Sequence, residues 1–73
     1  MEETFKIRAY GYSELAQLYF PHITKKSASV QLNRWIKRNE KLDESLIKVG
    51  FQSGQKIFTP LQVKTIIDYL GEP

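Results

Sequence analysis

The chain has 73 residues, of which 41% are hydrophobic and 26% charged, and eleven basic against eight acidic side chains give a net charge of +3. Its length predicts a single domain over residues 1–73, and its nine aromatic residues argue against disorder. The lack of cysteine excludes disulfides and thiolate metal sites, and no apolar run approaches the roughly 20 residues that span a bilayer. Because the first eleven residues are polar and unlike a signal peptide, we expect a cytoplasmic protein without a membrane segment.

A short strand and a first helix are predicted near the amino terminus. Apolar residues alternate over positions 5–9, which favours a half-buried strand or an extended arm that ends at Gly11. Ser13 is a suitable N-cap for a helix over about residues 14–20. Pro21 ends that helix because proline cannot continue the hydrogen-bond ladder.

The second predicted helix runs over residues 25–38, after an N-cap at Thr24, and contains neither glycine nor proline. At 100° per residue, four apolar side chains form a stripe that we expect to face the core: Ala28, Leu32, Trp35 and Ile36. The opposite side carries Lys26, Val30, Asn33, Arg34 and Lys37. At about 1.5 Å per residue this helix is roughly 20 Å long, which suits the DNA major groove.

A third helix is predicted over residues 42–49, ending at Gly50, and the breakers that follow predict a turn or wing tip over residues 51–56. Ile57 and Phe58 are expected to pair with the amino-terminal strand. The last helix, residues 60–70, has an N-cap, a first-position proline and a capping-box partner: Thr59, Pro60 and Gln62. The predicted fold class is mainly α with a small β element, a winged helix-turn-helix-like single domain.

The positive charge is concentrated in the second helix and its flanks. Between Thr24 and Lys41 the chain has six basic residues and only one acidic residue, Glu40. Such a segment is typical of a surface that contacts phosphate, although a solvated helix face would have the same composition.

Eight residues are predicted to contact DNA: Lys25, Lys26, Val30, Asn33, Arg34, Lys37, Arg38 and Lys56. Asn33 can pair with adenine and Arg34 with guanine, while the lysines are better suited to phosphate. Val30 either touches a thymine methyl or packs under the amino-terminal strand. Solvent exposure without a partner is the alternative for Asn33 and Arg34.

No constellation of catalytic or metal-binding residues is apparent. The single histidine, His22, follows a proline in a turn, and the adjacent Asp43 and Glu44 diverge by about 100° on a helix. The sequence has no nucleophile elbow, P-loop or dinucleotide signature. We therefore expect neither an enzyme nor a bound metal, cofactor or small-molecule substrate.

Two segments resemble the winged helix-turn-helix of excisionases and MerR-type regulators. The first comprises residues 13–16 (SELA), a cap at Thr24 and residues 35–37 (WIK), and the second comprises residues 54–59 (GQKIFT) leading into the last helix. The whole chain is also similar to a family of short gut-bacterial proteins of unknown function. Two departures from the regulators are the turn over residues 20–23, which lacks glycine, and the additional helical pattern at residues 42–49.

The resemblance and the basic helix together predict a small DNA-binding module that acts as a transcriptional or recombination accessory factor on double-stranded DNA. The alternative is a protein-interaction module on the same scaffold, suggested by an aromatic set that exceeds the needs of a small core: Tyr10, Tyr12, Tyr19, Phe20 and Phe51. We also expect weak homodimerisation with Phe20 or Phe51 at the contact.

Overall fold

The computed structural model describes residues 5–73. Residues 1–4, which belong to the polar amino-terminal segment, lie outside the described part of the chain. Its elements, in chain order, are β1 (Tyr10–Gly11), α1 (Tyr12–Tyr19), α2 (Lys25–Arg38), α3 (Glu40–Lys48), β2 (Ile57–Phe58) and α4 (Pro60–Leu70). The prediction of a mainly helical domain with a small β element is confirmed. α2 and α4 have the predicted bounds.

Side-chain caps fix the starts of these two helices. The Thr24 hydroxyl accepts a hydrogen bond from the Ser27 N–H at 3.2 Å. At α4, the Thr59 hydroxyl accepts from the Gln62 N–H at 3.2 Å, and Gln62 Oε1 accepts from the Thr59 N–H at 3.0 Å. Each cap satisfies amide groups that the first helical turn leaves without a partner.

α1 begins at Tyr12, earlier than predicted, because its N-cap is Gly11 and not Ser13. The Glu14 carboxylate reaches back and accepts a hydrogen bond from the Gly11 N–H at 3.1 Å. This bond, followed by one from Arg8, lowers the pKa of the Glu14 carboxyl. The acidic residue in the first turn therefore acts as a cap as well as a charge that complements the helix dipole.

α3 also begins earlier than the predicted residue 42, because Asn39 caps two helices at once. The Asn39 N–H donates to the Ile36 carbonyl at 3.2 Å, and its side-chain Oδ1 accepts from the Leu42 N–H at 3.1 Å. α2 and α3 are consequently joined by this single residue. After α3, Gly50 has a φ of 90°, the conformation expected where a helix ends at glycine.

The predicted pairing of Ile57 and Phe58 with an amino-terminal strand is confirmed, but β1 lies at Tyr10–Gly11 and not over residues 5–9. Tyr10 is opposite Phe58 in the antiparallel pair. The preceding segment folds over Tyr10 instead of extending the sheet: the Phe5 ring stacks on Tyr10 at 5.2 Å, and the Arg8 guanidinium lies 3.8 Å from the Tyr10 ring centroid. Aromatic stacking and a cation–π contact thus replace ladder hydrogen bonds here.

Every helix contributes to one core. Its fully buried residues are Leu15, Ala16, Ala28, Leu32, Ile36, Leu42, Leu46, Phe58, Val63 and Ile66. Trp35 is not among them, so the prediction of a core tryptophan is wrong. Its side chain is 40% exposed and packs edge-on against Phe20, with ring centroids 4.7 Å apart. The inward face of α2 is already filled by Ala28, Leu32 and Ile36, which are four residues apart. Trp35 lies about 100° from Ile36 around the helix axis and is therefore off this face.

This arrangement predicts unequal costs for two truncations in α2. Leu32→Ala leaves a cavity in the core and should lower the free energy of unfolding by about 2 to 5 kcal/mol. Trp35→Ala removes a half-exposed ring and should cost about 1 to 2 kcal/mol. Chemical denaturation of both variants measures the difference, and a larger loss from Trp35→Ala would contradict the placement of the ring.

Candidate nucleic-acid interface

The exposed face of α2 carries four of the predicted contact residues side by side: Val30, Asn33, Arg34 and Lys37. Val30 is 46% exposed, so it does not pack under the amino-terminal segment. The spacing of three and four residues places these side chains within about one quadrant of the helix. α2 therefore presents a continuous surface with an apolar centre between polar and basic groups.

This face forms one wall of an open groove of about 470 Å³, which we call the α2 groove. Its α2 wall consists of Ser29, Val30, Asn33, Arg34 and Lys37, and the rest of its lining is Tyr12, Phe51, Ser53, Gly54 and Gln55. None of these ten residues is acidic. The groove is therefore positively charged and carries hydrogen-bonding groups on both walls.

A buried glutamine holds the second wall in place. Gln62 is only 2% exposed, and its Nε2 donates to the Val49 carbonyl at 3.2 Å. Its Oε1 accepts from Gln55 Nε2 at 2.5 Å, in addition to the capping bond from Thr59. Gln55 in turn accepts from the Gln52 N–H through its Oε1 at 3.1 Å. Because a buried amide must satisfy its donors and acceptors, this network fixes the turn over residues 52–55 relative to α4.

An aromatic stack supports the groove from below. The Tyr12 ring stacks on Phe58 with centroids 4.8 Å apart, and Phe51 stacks on Phe58 at 5.5 Å. The Tyr12 hydroxyl oxygen is buried and has no hydrogen-bond partner among the described residues. Burial raises the pKa of Tyr12 to about 12. Tyr12 is thus a rigid, uncharged part of the groove.

Lys37 lies within reach of one carboxylate outside the groove lining. Its Nζ is 3.5 Å from Asp43 Oδ1, and the lysine side chain is more than half exposed. An exposed ion pair of this kind contributes about 0 to 1 kcal/mol, so exchanging Asp43 for a phosphate has a low cost.

The structure does not bring all eight predicted residues together. Lys25 lines a separate recess that also contains Glu14, and Arg38 lines another with Trp35 and Leu70. Lys26 and Lys56 are exposed but do not line the α2 groove. The predicted set therefore divides into a central group of four and four outlying basic residues.

Sequence reasoning missed Ser29 on α2 and the groove residues contributed by other parts of the chain, namely Tyr12, Phe51, Ser53, Gly54 and Gln55. The predicted turn over residues 51–56 could have indicated four of them, because a turn beside the recognition helix can form the second wall of a groove. Nothing in the sequence indicated that Gln62 would hold it there.

The described residues contain no group of histidine, cysteine or acidic side chains arranged to hold a metal ion. Within residues 5–73 no helix has the length and apolarity needed to cross a membrane.

Over residues 5–73, four short helices and a two-stranded antiparallel sheet, with a basic groove beside α2, define a small single-domain helical protein. The chain belongs to the family described as domain of unknown function DUF4248, whose model matches residues 6–73. This confirms the predicted similarity to a family of unknown function. No curated protein and no solved structure matches the chain.

The unpartnered hydroxyl of Tyr12 predicts that Tyr12→Phe is stabilising, by about 1 kcal/mol, because a buried hydroxyl without a partner is costly. It also predicts a change in alkaline behaviour. The pKa of Tyr12 is raised from 10 to about 12 in the fold, so ionisation of this group does not affect the free energy of unfolding below pH 10 and lowers it as the pH rises towards 12.

Denaturation of the parent and the variant between about pH 8 and about pH 12 measures both effects, because this range includes the ordinary and the raised pKa of Tyr12. Tyr19, whose pKa burial also raises to about 12, should cause the alkaline loss that persists in Tyr12→Phe. A large destabilisation by Tyr12→Phe would show that the hydroxyl has a partner, and an unchanged pH dependence would contradict the raised pKa of Tyr12.

Proposed function

We propose that this protein is a small DNA-binding module, a transcriptional or recombination accessory factor that reads the major groove with α2. The observation that carries the proposal is the exposed face of α2, where Asn33, Arg34 and Lys37 surround Val30 beside a groove without acidic residues. A helix of 14 residues is about 21 Å long, enough to present this face along the major groove.

In the proposed complex each residue of the face has a separate task. Asn33 pairs with an adenine edge, Arg34 pairs with a guanine edge, and Val30 contacts a thymine methyl. Lys37 contacts one phosphate at the groove, and the exposed Lys26, which lies outside the groove, contacts another; such contacts orient the helix without reading sequence. Lys25 and Arg38 line other recesses and Lys56 does not line the α2 groove, so these three residues are outside this central contact.

The packing of α1 against α2 supports this mode of binding. α1 ends at Tyr19 and α2 starts at Lys25, and the Gln17 side chain donates to the Ile23 carbonyl at 3.1 Å, which ties the intervening turn to α1. Two helices joined by a short turn, with the second one exposed, are the arrangement that helix-turn-helix proteins use. The excisionase and MerR resemblance of the sequence points to the same mode.

The main departure from a winged regulator is α3. It follows α2 after Asn39 alone, in the part of the chain where a first wing strand would be expected. In residues 5–73 the sheet consists of β1 and β2, so the turn over residues 52–55 is not the tip of a two-stranded wing. In our proposal this short turn takes the place of the wing beside α2.

Replacing Lys37 and Arg34 separates the two kinds of contact. Lys37→Gln should weaken binding to all duplexes alike and make the slope of log affinity against log salt shallower by about 0.9, because one phosphate contact is lost. Arg34→Ala should cost about 1 to 3 kcal/mol on the preferred site and relax the preference at one base pair. Fluorescence anisotropy at several salt concentrations measures both effects.

The matched control is Lys64→Gln, which removes an exposed lysine on α4 that pairs with Asp68 and does not line the α2 groove. It should leave both affinity and salt slope at the parent values, apart from a small nonspecific loss. If Lys37→Gln and Arg34→Ala bind as the parent does, the basic face is a solvated surface and the DNA-binding proposal is wrong.

The second candidate function is a protein-interaction module, and the observation that favours it is Trp35. The aromatic set that first suggested this function packs against the core, since Tyr10 is buried and the other four residues are half-buried. Trp35 instead lines a recess of about 460 Å³ with Arg38 and Leu70, away from the α2 groove. An exposed tryptophan beside an arginine is the composition of an interface hot spot.

We place the proposed weak homodimer contact at this recess and not at Phe20 or Phe51, because Trp35 is 40% exposed whereas both phenylalanines are partly buried against the core. Trp35→Gln should abolish self-association in sedimentation experiments, whereas Leu61→Gln, which removes another exposed apolar side chain, should not. A parent protein that remains monomeric up to millimolar concentration would contradict this contact.

A further inference from the structure

The turn that forms the second wall of the α2 groove has two main-chain donors without an acceptor within residues 5–73. The Gln55 N–H donates to the Gln52 carbonyl at 3.1 Å, and the Gln52 N–H donates to the Gln55 side chain. Between them, the N–H groups of Ser53 and Gly54 donate to no acceptor in the described part of the chain. Both residues are exposed and line the groove.

The conformation of this turn leaves its tip open. Gly54 has a φ of 83° at the third position of the turn, and φ is negative at Ser53, as in a type II turn. Apart from Gly54 and its two chain neighbours, no heavy atom of the described residues lies within 4 Å of the point where a Cβ would stand at Gly54. A ligand can therefore approach the main chain closely, without a side chain in the way.

The groove supplies charge opposite these donors. Arg34 and Lys37 stand on the α2 wall, and the lining contains no carboxylate. Exposed main-chain N–H groups on one wall of a groove and basic side chains on the other are suited to an anion, because the N–H groups donate to its oxygens while the cations offset its charge.

We propose that the α2 groove is a phosphate site in which the Ser53 and Gly54 N–H groups donate to one phosphodiester of the nucleic-acid backbone and Lys37 supplies the compensating charge. This inference rests on the proposed function and deepens it, because it places one DNA strand between α2 and the turn. Arg34 remains free for a base edge.

The buried network prepares this site before the ligand arrives. At one end of the turn, Gln55 Nε2 donates to Gln62 and to the Ile57 carbonyl, the latter at 2.6 Å. At the other end, the Gln52 N–H donates to Gln55 Oε1, so both ends are fixed. Donors that are already ordered lose little entropy on binding, which makes their hydrogen bonds more effective than those of a mobile loop. Gln62 is accordingly a positioning residue for the site.

The test uses Ser53→Pro, with Ser53→Ala as the matched control. Proline is favoured at the second position of a type II turn, so the substitution should keep the fold and the melting temperature while removing one N–H donor. We expect duplex affinity to fall about ten-fold or more. The salt slope should stay at the parent value, because a neutral amide releases no counterion. Ser53→Ala keeps the donor and should bind within about two-fold of the parent.

Amide NMR spectra of the full chain, titrated with a short duplex and separately with inorganic phosphate, identify the source of the phosphate. Shifts of the Ser53 and Gly54 amides with duplex, together with the affinity loss in Ser53→Pro, support the inference. If the duplex shifts α2 but not these two amides, or Ser53→Pro binds as the parent does, the inference is overturned while the proposed function stands.

If the parent binds no duplex, the proposed function and the placement of a DNA strand in the groove are both wrong. The titration with inorganic phosphate then shows whether the α2 groove binds phosphate at all. Saturable shifts of the Ser53 and Gly54 amides with inorganic phosphate would then assign the groove to a free phosphate-bearing ligand. The absence of shifts in both titrations would overturn the phosphate site as well.

Discussion

The geometry of the groove depends on the hydrogen bonds of one buried side chain, Gln62. Its carboxamide joins the end of α3, the start of α4 and the turn over residues 52–55. A buried amide of this kind stabilises the fold only when all its partners are present, because each lost partner leaves a polar group without water. Gln62 therefore specifies the position of the turn relative to α4 and the end of α3 more strictly than apolar packing would.

Asn39 has a similar role between helices. By ending α2 and beginning α3 with the same residue, it fixes the direction of α3 relative to the exposed face. Three features of the surface lie around α2: the exposed face of the helix, the turn over residues 52–55 beside that face, and Trp35 in a recess elsewhere on the helix. The two candidate functions use different sides of the same helix, so variants can separate them without disturbing the core.

The parts of this fold that could be predicted from sequence are those with local causes. The α4 cap at Thr59 and the bounds of α2 follow from residues adjacent in the chain. The periodicity of α2 predicted that Trp35 points towards the core. Periodicity does not show how much space Leu32 and Ile36 leave there, and the Trp35 ring lies outside it. The α2 wall of the groove was predictable for the same local reason. Its second wall was not, because it depends on hydrogen bonds between residues such as Val49 and Gln62, which no local pattern connects.

The short sheet has a consequence for how the chain acquires its binding surface. β1 and β2 pair residues 10–11 with residues 57–58, so the sheet closes a loop of more than 40 residues, whereas α1 and α2 meet across a short turn. Loop closure over such a separation is slow relative to the formation of neighbouring helices. During synthesis α2 is complete well before α4 has emerged to hold the turn. We expect a nascent chain to expose the basic helix first and to gain the two-walled groove only when the last helix docks.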